Sequence, residues 1–178
     1  MQDEKLRERL DARTSIYNGH VINLEKWDVT LPNGKPAMRE VAIHKGASAI
    51  VPVDDEGYVY LVRQFRTPLQ RVLTEVPAGK LDSAGEDHLV AAKRELHEET
   101  GFTAKKWTHL VDLATTPGFC TETISLYLAE GLTRGETDFD DDEFLDLVRM
   151  PLNEAVRTAL TGGFEDAKTI AALLLAAH

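Results

Sequence analysis

The sequence has little cysteine and no long apolar run. Cys120 is the only cysteine, which excludes an internal disulfide and a cysteine-based zinc site. No apolar stretch approaches the roughly 20 residues that cross a bilayer as a helix. Residues 1–10 are charged and lack the apolar core of a signal peptide. We therefore expect a cytoplasmic protein without a membrane partner.

Basic residues are also scarce. Lysine and arginine together number 20, against 30 aspartates and glutamates, so the formal net charge is −10. The backbone of nucleic acid is bound by clustered lysine and arginine, so we expect no nucleic-acid partner. Acidity does not exclude a phosphate-bearing substrate, because a divalent cation held by carboxylates inverts the local field.

The first third of the chain has the pattern of strands. Residues 14–46 alternate polar and apolar side chains around Asn33-Gly34, which predicts antiparallel strands with a hairpin at that dipeptide. Residues 1–13 are charged and predict a helix or a disordered start. Ala47–Val53 is nearly all apolar, as in a strand buried on both faces. A turn follows, and residues 58–64 predict a returning strand.

A helix is predicted over residues 86–100. Ser83 and Glu86 have the spacing of a capping box at its start, and Gly101 stands where a left-handed residue ends a helix. Further strands are predicted near residues 110–114, 123–129 and 144–149, and two closing helices at 151–161 and 166–177. The chain has 178 residues, which favours one domain with at most a small appendage. This order of elements predicts a mixed α/β sandwich.

The predicted helix carries a cluster of carboxylates. Glu95 and Glu99 are four residues apart and share one face, which Glu98 flanks. Like charges at this spacing repel, and a magnesium ion would remove that cost because it binds carboxylate oxygens. Arg94 could pair with Glu98 or Glu86 and orient a ligand. A solvated surface helix with scattered charges is the alternative interpretation.

The sequence around this helix resembles the Nudix box. The box begins with glycine, five residues and glutamate, and continues to an Arg-Glu and a Glu-Glu pair before a second glycine. The match is complete from Glu86 to Phe102, but six residues rather than five separate Gly79 from Glu86. The resemblance implies a Nudix α/β/α sandwich with a mixed sheet, an α+β arrangement. Residues 46–178 would form the Nudix domain, and residues 1–45 an antiparallel strand extension.

The resemblance also implies a metal site. Mg²⁺, or Mn²⁺ in its place, would be bound by Glu95, Glu98, Glu99 and the carbonyl of Ala78. The three glutamates would then be catalytic, and Glu86 would support the box or hold an additional metal.

Four further segments resemble the branch that hydrolyses ADP-ribose and other nucleoside diphosphate sugars. They are Ala47–Val53, residues 64–66 (Gln-Phe-Arg), residues 75–82 (Glu-Val-Pro-Ala-Gly-Lys-Leu-Asp) and residues 116–122 (Thr-Pro-Gly-Phe-Cys-Thr-Glu). The resemblance implies cleavage of ADP-ribose to AMP and ribose 5-phosphate, with GDP-mannose and related compounds as alternatives. The implied substrate-binding residues are Trp27, Arg39, Glu40, Arg66, Gly118 and Glu122.

Each of these residues has a plainer interpretation. Arg66 is either a diphosphate clamp, since its guanidinium matches phosphate oxygens, or a solvated surface charge. Trp27 either stacks on adenine or packs in the core. Arg39 and Glu40 either recognise the nucleotide or are edge charges that deter strand pairing. In the branch, Glu122 corresponds to a glutamate that contacts the distal sugar.

An acidic loop lies at residues 136–143. Such a run is usually a solvated loop. The resemblance implies that one carboxylate among residues 140–143 acts as general base on the attacking water, with Asp141 and Glu143 as the leading candidates.

Two other functions remain open at this point. A non-catalytic Nudix module that binds nucleotide sugars would be expected to lose box carboxylates, and all are present. RNA cap hydrolysis is disfavoured by the acidic charge. The N-terminal strands exceed a minimal Nudix core, which favours a homodimer formed through them.

Overall fold

The computed structural model describes residues 3–83, 85–135 and 144–178. The chain divides into two compact units. The small unit comprises Met1–Lys45 and Thr116–Glu122, and the large unit comprises Gly46–Thr115 and Thr123–His178. Among the described residues, no helix has the length and apolar character required to cross a membrane.

The small unit is built on a three-stranded antiparallel sheet. After a 3-10 turn at Asp3–Lys5 come β1 (Arg9–Asn18), β2 (Asn23–Thr30) and β3 (Pro36–Ile43), in the order β1-β2-β3. The hairpin predicted at Asn33-Gly34 is confirmed, since Gly34 has φ of 80° and Leu31 donates to the Lys35 carbonyl at 2.8 Å. Segment Thr116–Glu122 joins the same unit through backbone hydrogen bonds with Ala42.

The prediction of a helix or disordered start for residues 1–13 is wrong from Arg9 onward. β1 begins at Arg9, and every residue of β1 is exposed. It therefore has no buried face whose alternation could reveal a strand. β1 is paired through its backbone with β2, and Asp11 and Arg9 both bond to the Thr30 hydroxyl.

The large unit contains a seven-stranded mixed sheet. Its strands are β4 (Ala47–Val53), β5 (Tyr58–Arg66), β6 (Arg71–Glu75), β7 (Ala78–Lys80), β8 (Phe102–Ala114), β9 (Thr123–Arg134) and β10 (Leu145–Pro151). The main order is β10-β5-β4-β9-β8, with β6 paired to β5 and β7 to β4. β4 and β9 are parallel and the other pairs are antiparallel, which confirms the predicted mixed sheet.

In the part of the chain that the structure describes, three helices cover the two faces of this sheet. They are α1 (His88–Thr100), α2 (Leu152–Leu160) and α3 (Ala167–Ala176). Ile50 of β4 packs with α1, whereas its neighbours Ala49 and Val51 belong to the core that contains α2 and α3. Successive strand residues point to opposite faces, so β4 is buried on both sides and the unit has α/β/α layers, as predicted.

The predicted start of α1 is wrong by two residues. The N-cap is Asp87, whose side chain accepts from the N–H groups of Leu89 at 2.9 Å and Val90 at 3.1 Å. Glu86 does not complete a capping box with Ser83, because its carboxylate accepts from the Asp82 N–H at 2.6 Å. The predicted helix end is confirmed by Gly101.

Gly101 has φ of 71°, and its N–H donates to the His97 carbonyl at 2.8 Å. The helix is therefore fixed at both ends. This fixes the register in which its glutamates meet β7.

Candidate active site

β7 and α1 approach each other closely at Gly79. A Cβ atom placed on Gly79 would lie 1.9 Å from Cδ of Glu95, far inside any contact distance. Only glycine therefore lets the Glu95 carboxylate lie against the β7 backbone. Glu95 is 7% exposed, so this close approach holds a carboxylate in a nearly dry position.

Glu99 is fixed to the same strand. Its side chain is buried, with 4% of the residue exposed, and Oε2 accepts from the N–H of Ala78 at 3.0 Å. A buried carboxylate is unfavourable unless hydrogen bonds or opposite charge offset the loss of water. The bond from Ala78 joins one of the predicted metal ligands to another and keeps β7 and the end of α1 together.

Arg94 lies among the glutamates of α1. Its Nη1 donates to Glu95 at 2.7 Å and to Glu98 at 2.9 Å, and its Nε lies 3.7 Å from Glu86. Burial lowers the pKa of Arg94, but the charge of Glu95 and the hydrogen bonds to both glutamates outweigh it and raise that pKa above its ordinary value. The guanidinium thus fixes the side-chain directions of two adjacent carboxylates.

The donor set of this cluster fits a hard divalent cation. Within residues 3–83, 85–135 and 144–178, no three His, Cys, Asp or Glu side chains are already arranged as a metal site. Glu95 and Glu98 direct oxygens toward Arg94, and Glu99 directs one toward Ala78. The three carboxylates exceed the single guanidinium in charge, and oxygen ligands of this kind are the ones that Mg²⁺ prefers.

Comparison with known proteins agrees with this geometry. Residues 42–173 match the NUDIX domain. The chain belongs to the Nudix family. It is 42% identical over 172 residues to the ADP-ribose pyrophosphatase of Bacillus subtilis (strain 168), covering 96% of this chain and 92% of that protein.

Two further comparisons extend over nearly the whole chain. The methanol dehydrogenase activator of Bacillus methanolicus is 41% identical over 172 residues, which cover 95% of this chain and 92% of that protein. A crystal structure of an ADP compounds hydrolase superposes with a TM-score of 0.82 at 26% identity, covering 96% of this chain and 92% of the other. The predicted membership of the Nudix family is therefore confirmed.

The Nudix box of this chain occupies β7, the following loop and α1. Its additional residue lies in the loop before Asp87, where the N–H of Glu86 donates to the Ser83 carbonyl at 3.2 Å. Glu86 is turned back onto this loop through its bond to Asp82. The loop therefore absorbs the insertion and α1 keeps its glutamate spacing. A metal-binding role for Glu86 remains a prediction.

In the large unit, Arg66 is bound by a residue for which the sequence motifs predicted no role. Its Nε and Nη2 donate to the two carboxylate oxygens of Glu75, at 2.7 and 2.9 Å. Lys168 donates to the same carboxylate. The sequence carries one indication of this role, because Glu75 lies two residues after Leu73 and the two share the buried face of β6. A charged side chain on a buried face requires a partner there.

The predicted nucleotide-binding residues of the small unit lie on its sheet. Trp27 and Arg39 are direct partners on β2 and β3, with Glu40 next to Arg39. Trp27 is half-buried, its Nε1 donates to Glu25 at 2.6 Å, and the Arg13 guanidinium lies 4.6 Å from its ring centroid. Trp27 is therefore not fully buried in a core. The roles of all three predicted residues stay predictions.

Gly118 and Glu122 lie in segment Thr116–Glu122. Glu122 faces His44, with 3.3 Å between Oε1 and Nδ1. A Cβ placed on Gly118 would meet no atom within 4 Å. The general-base candidates Asp141 and Glu143 lie outside the described residues, in the interval 136–143.

Proposed function

We propose that this protein is a Mg²⁺-dependent pyrophosphohydrolase that converts ADP-ribose and water to AMP and ribose 5-phosphate. The main support is the pair of buried carboxylates, Glu95 and Glu99, packed against β7 within a Nudix box. The similarity to an ADP-ribose pyrophosphatase, 42% identity over 96% of this chain, supports the choice of substrate.

The metal ligands we propose are Glu95, Glu98, Glu99 and the carbonyl of Ala78, with Glu86 in support. Mg²⁺, or Mn²⁺ in its place, supplies neutralisation of the diphosphate charge and acidifies water when bound. Arg94 orients Glu95 and Glu98 for this purpose through its two Nη1 bonds. Glu99 keeps Ala78 beside the helix.

Side chains outside the proposed metal cluster carry out proton transfer and diphosphate binding. Water attacks one phosphorus, the bridging P–O bond breaks, and the bridging oxygen leaves with the electron pair. We propose that a carboxylate of the acidic loop, Asp141 or Glu143, takes the proton of the attacking water. Arg66 contributes N–H donors to the diphosphate, which a guanidinium suits better than an ammonium.

We propose that residues of the small unit recognise the nucleotide and the sugar. Trp27 offers an aromatic ring to the adenine. Arg39 and Glu40 bond to the nucleotide, and Gly118 and Glu122 contact the distal ribose. These five roles rest on the resemblance of the motifs, and the half-buried state of Trp27 is compatible with its part.

The experiment that tests this function compares wild type with Glu99→Gln in ADP-ribose and Mg²⁺ while AMP is followed. We expect Glu99→Gln to lower kcat/KM by at least about 100-fold, because a ligand matters more than an outer-shell partner worth about 10- to 100-fold. Glu154→Gln, which neutralises an exposed glutamate on α2, is the matched control and is expected to keep wild-type rates. Equal rates for wild type and Glu99→Gln would sink the proposal.

The substrate itself is tested by a panel of ADP-ribose, other ADP-sugars, UDP-sugars, GDP-mannose and dinucleotides, ranked by kcat/KM. ADP-ribose is expected first. A regulatory module that binds a nucleotide sugar is the second candidate, and the 41% identity to a methanol dehydrogenase activator favours it. Tight binding of ADP-ribose with less than one turnover per protein would support that candidate instead.

We further propose that the chain acts in the cytoplasm as a homodimer paired through its N-terminal strands. The support is β1, all of whose residues are exposed along one side of the small sheet. Light scattering is expected to give the mass of two chains. A monomer at working concentration would contradict the dimer and leave the proposed chemistry intact.

A further inference from the structure

Glu75 is a carboxylate with almost no access to solvent. Its side chain is 2% exposed, and it receives hydrogen bonds from two cations, Arg66 and Lys168. Burial raises the pKa of Glu75, but the Arg66 hydrogen bonds and the charge of Lys168 outweigh it and hold that pKa below its ordinary value. Glu75 is thus an ionised group in the interior of the large unit.

This carboxylate is fixed to the scaffold on both sides. Lys168 also lies 3.0 Å from Asp166, the N-cap of α3, which accepts from the Thr169 N–H at 2.9 Å. Thr169 in turn accepts, through Oγ1, from the N–H of Val76 at 2.9 Å. The end of β6 is therefore joined to the first turn of α3 by a chain of polar contacts, three residues before Ala78.

The pair with Glu75 determines where Arg66 directs its other donors. A guanidinium has five N–H groups in a fixed plane. One from Nε and one from Nη2 face Glu75, so the other three are directed elsewhere, and 38% of the Arg66 side chain is exposed. The hydrogen bonds to Glu75 raise the pKa of Arg66 against burial, and the charge of Glu99 raises it further.

The charge of Glu99 thus acts on Arg66 together with that of Glu75, but only Glu75 is bonded to it by both Nε and Nη2. Lys168 donates to the same carboxylate, so the negative charge of Glu75 is shared between two cations and Arg66 need not offset all of it.

We propose that Glu75 is a positioning residue for diphosphate binding: it holds the exposed edge of Arg66 in a fixed direction, with Lys168 as its counter-charge. This rests on the proposed function, in which Arg66 binds the diphosphate. The advantage is preorganisation, because an arginine already ordered loses little rotamer freedom when the anion arrives. Stability alone is a weak reason for such a site, since apolar residues often replace buried ion pairs without loss.

A double-mutant cycle tests the proposal. The variants are Glu75→Gln, Arg66→Ala and the two combined, and the readout is the calorimetric Kd for α,β-methylene ADP-ribose in EDTA, with Tm recorded alongside. We expect Glu75→Gln alone to weaken binding at least about tenfold, as misplacement of a binding group does. Added to Arg66→Ala, it should weaken binding less than about twofold, because Glu75 acts through Arg66.

The matched control is Glu165→Gln. Glu165 lies just before α3 and pairs with Arg71 of β6, but both side chains are about half exposed, at 54% and 53%. The Kd of this variant is expected to equal that of wild type. If Glu75→Gln alone does not fold, Glu75→Gln with Lys168→Met, which removes one charge of each sign, takes the place of Glu75→Gln in the cycle.

The possible results distinguish the positioning role of Glu75 from the proposed function. Equal fold-changes from Glu75→Gln with and without Arg66 would overturn the positioning role, whatever happens to Tm. Wild type that binds the analogue but does not hydrolyse ADP-ribose with Mg²⁺ would overturn the proposed function, and the cycle would still decide the role of Glu75. Failure of wild type to bind the analogue in EDTA would overturn the positioning role, because Arg66 would then not hold the diphosphate, and hydrolysis of ADP-ribose with Mg²⁺ would decide the proposed function separately.

Discussion

Gly79 is the residue on which the position of Glu95 depends most directly. The carboxylate of Glu95 occupies the space that a Cβ on residue 79 would take, and that Cβ would be 1.9 Å from Glu95 Cδ. Neither partner can yield easily, because Glu95 is also bonded to Arg94 and lies in a buried position. The glycine is thus required by a side chain sixteen residues later in the chain.

We predict that Gly79→Ala lowers kcat/KM for ADP-ribose by about 100-fold or more, because a displacement of about 1 Å at a catalytic group has effects of this size. Gly85→Ala is the control, because a Cβ there meets no atom within 4 Å. It should keep wild-type activity. Wild-type kinetics for Gly79→Ala would show that Glu95 need not lie against β7.

Residues that interact along one helix could be predicted from sequence, and residues that meet across the fold could not. The spacing of Glu95, Glu98 and Glu99 is a local property of α1, so their common location followed from the helical repeat. Arg66 and Glu75 meet across the β5–β6 hairpin, whose register the sequence did not specify. Lys168 lies 93 residues from Glu75.

The start of α1 is an element-scale property for which two sites competed in the sequence. Ser83 has the spacing of a capping box, yet Asp87 caps the helix by accepting from two N–H groups. The loop with the additional residue ends at Asp87, and Glu86 is used to close that loop through Asp82. A capping box needs both reciprocal bonds, and sequence spacing alone shows neither.

We predict that Asp87→Ala lowers the free energy of unfolding by about 1 kcal/mol, the usual value of an N-cap. For a chain of this size that is a fall in Tm of about 2–4 °C, measurable by calorimetry. Ser83→Ala is expected to change the free energy by less than about 0.5 kcal/mol, as other surface substitutions do. A larger loss in Ser83→Ala than in Asp87→Ala would restore the capping box.

The more of its residues a strand buries, the better its sequence predicts it. β4 has six consecutive buried residues and is predicted over its whole length, whereas β1 has none and only its residues 14–18 fall in the region predicted as strands. β8 was recognised only near its end, because exposed residues dominate its pattern and its register with β9 shifts between His109 and Val111. Hydrophobic periodicity records burial, so an exposed strand leaves little trace of it.

At the scale of the whole molecule, the α/β/α layering of the large unit follows from a single strand. β4 is central in the sheet and nearly all apolar, so both of its faces need a covering layer of helices. Which segments of the chain make up the small unit does not follow from any single strand. Segment Thr116–Glu122 pairs with Ala42, and no local pattern in the segment names a partner so distant in the chain.

The large unit carries three glutamates of α1 near one another, and Arg94 bonds to two of them, Glu95 and Glu98. Two of the three glutamates are buried, so their charge is costly to the metal-free fold. Mg²⁺ bound as proposed would offset that cost and would bind the folded state alone. The stability of the whole molecule should therefore depend on the metal.

We predict that Mg²⁺ at 100 times its Kd stabilises wild type by about 2.7 kcal/mol, and that EDTA reverses the effect. Glu99→Gln should lose most of this gain, whereas Glu154→Gln, altered on an exposed face of α2, should keep it. In EDTA we expect Glu99→Gln to be at least as stable as wild type. The amide oxygen of the new residue can still accept from Ala78, and one buried charge has been removed. The ranking of the two proteins by Tm should thus reverse between EDTA and Mg²⁺. An equal Mg²⁺ shift in both would mean that Glu99 does not bind the metal.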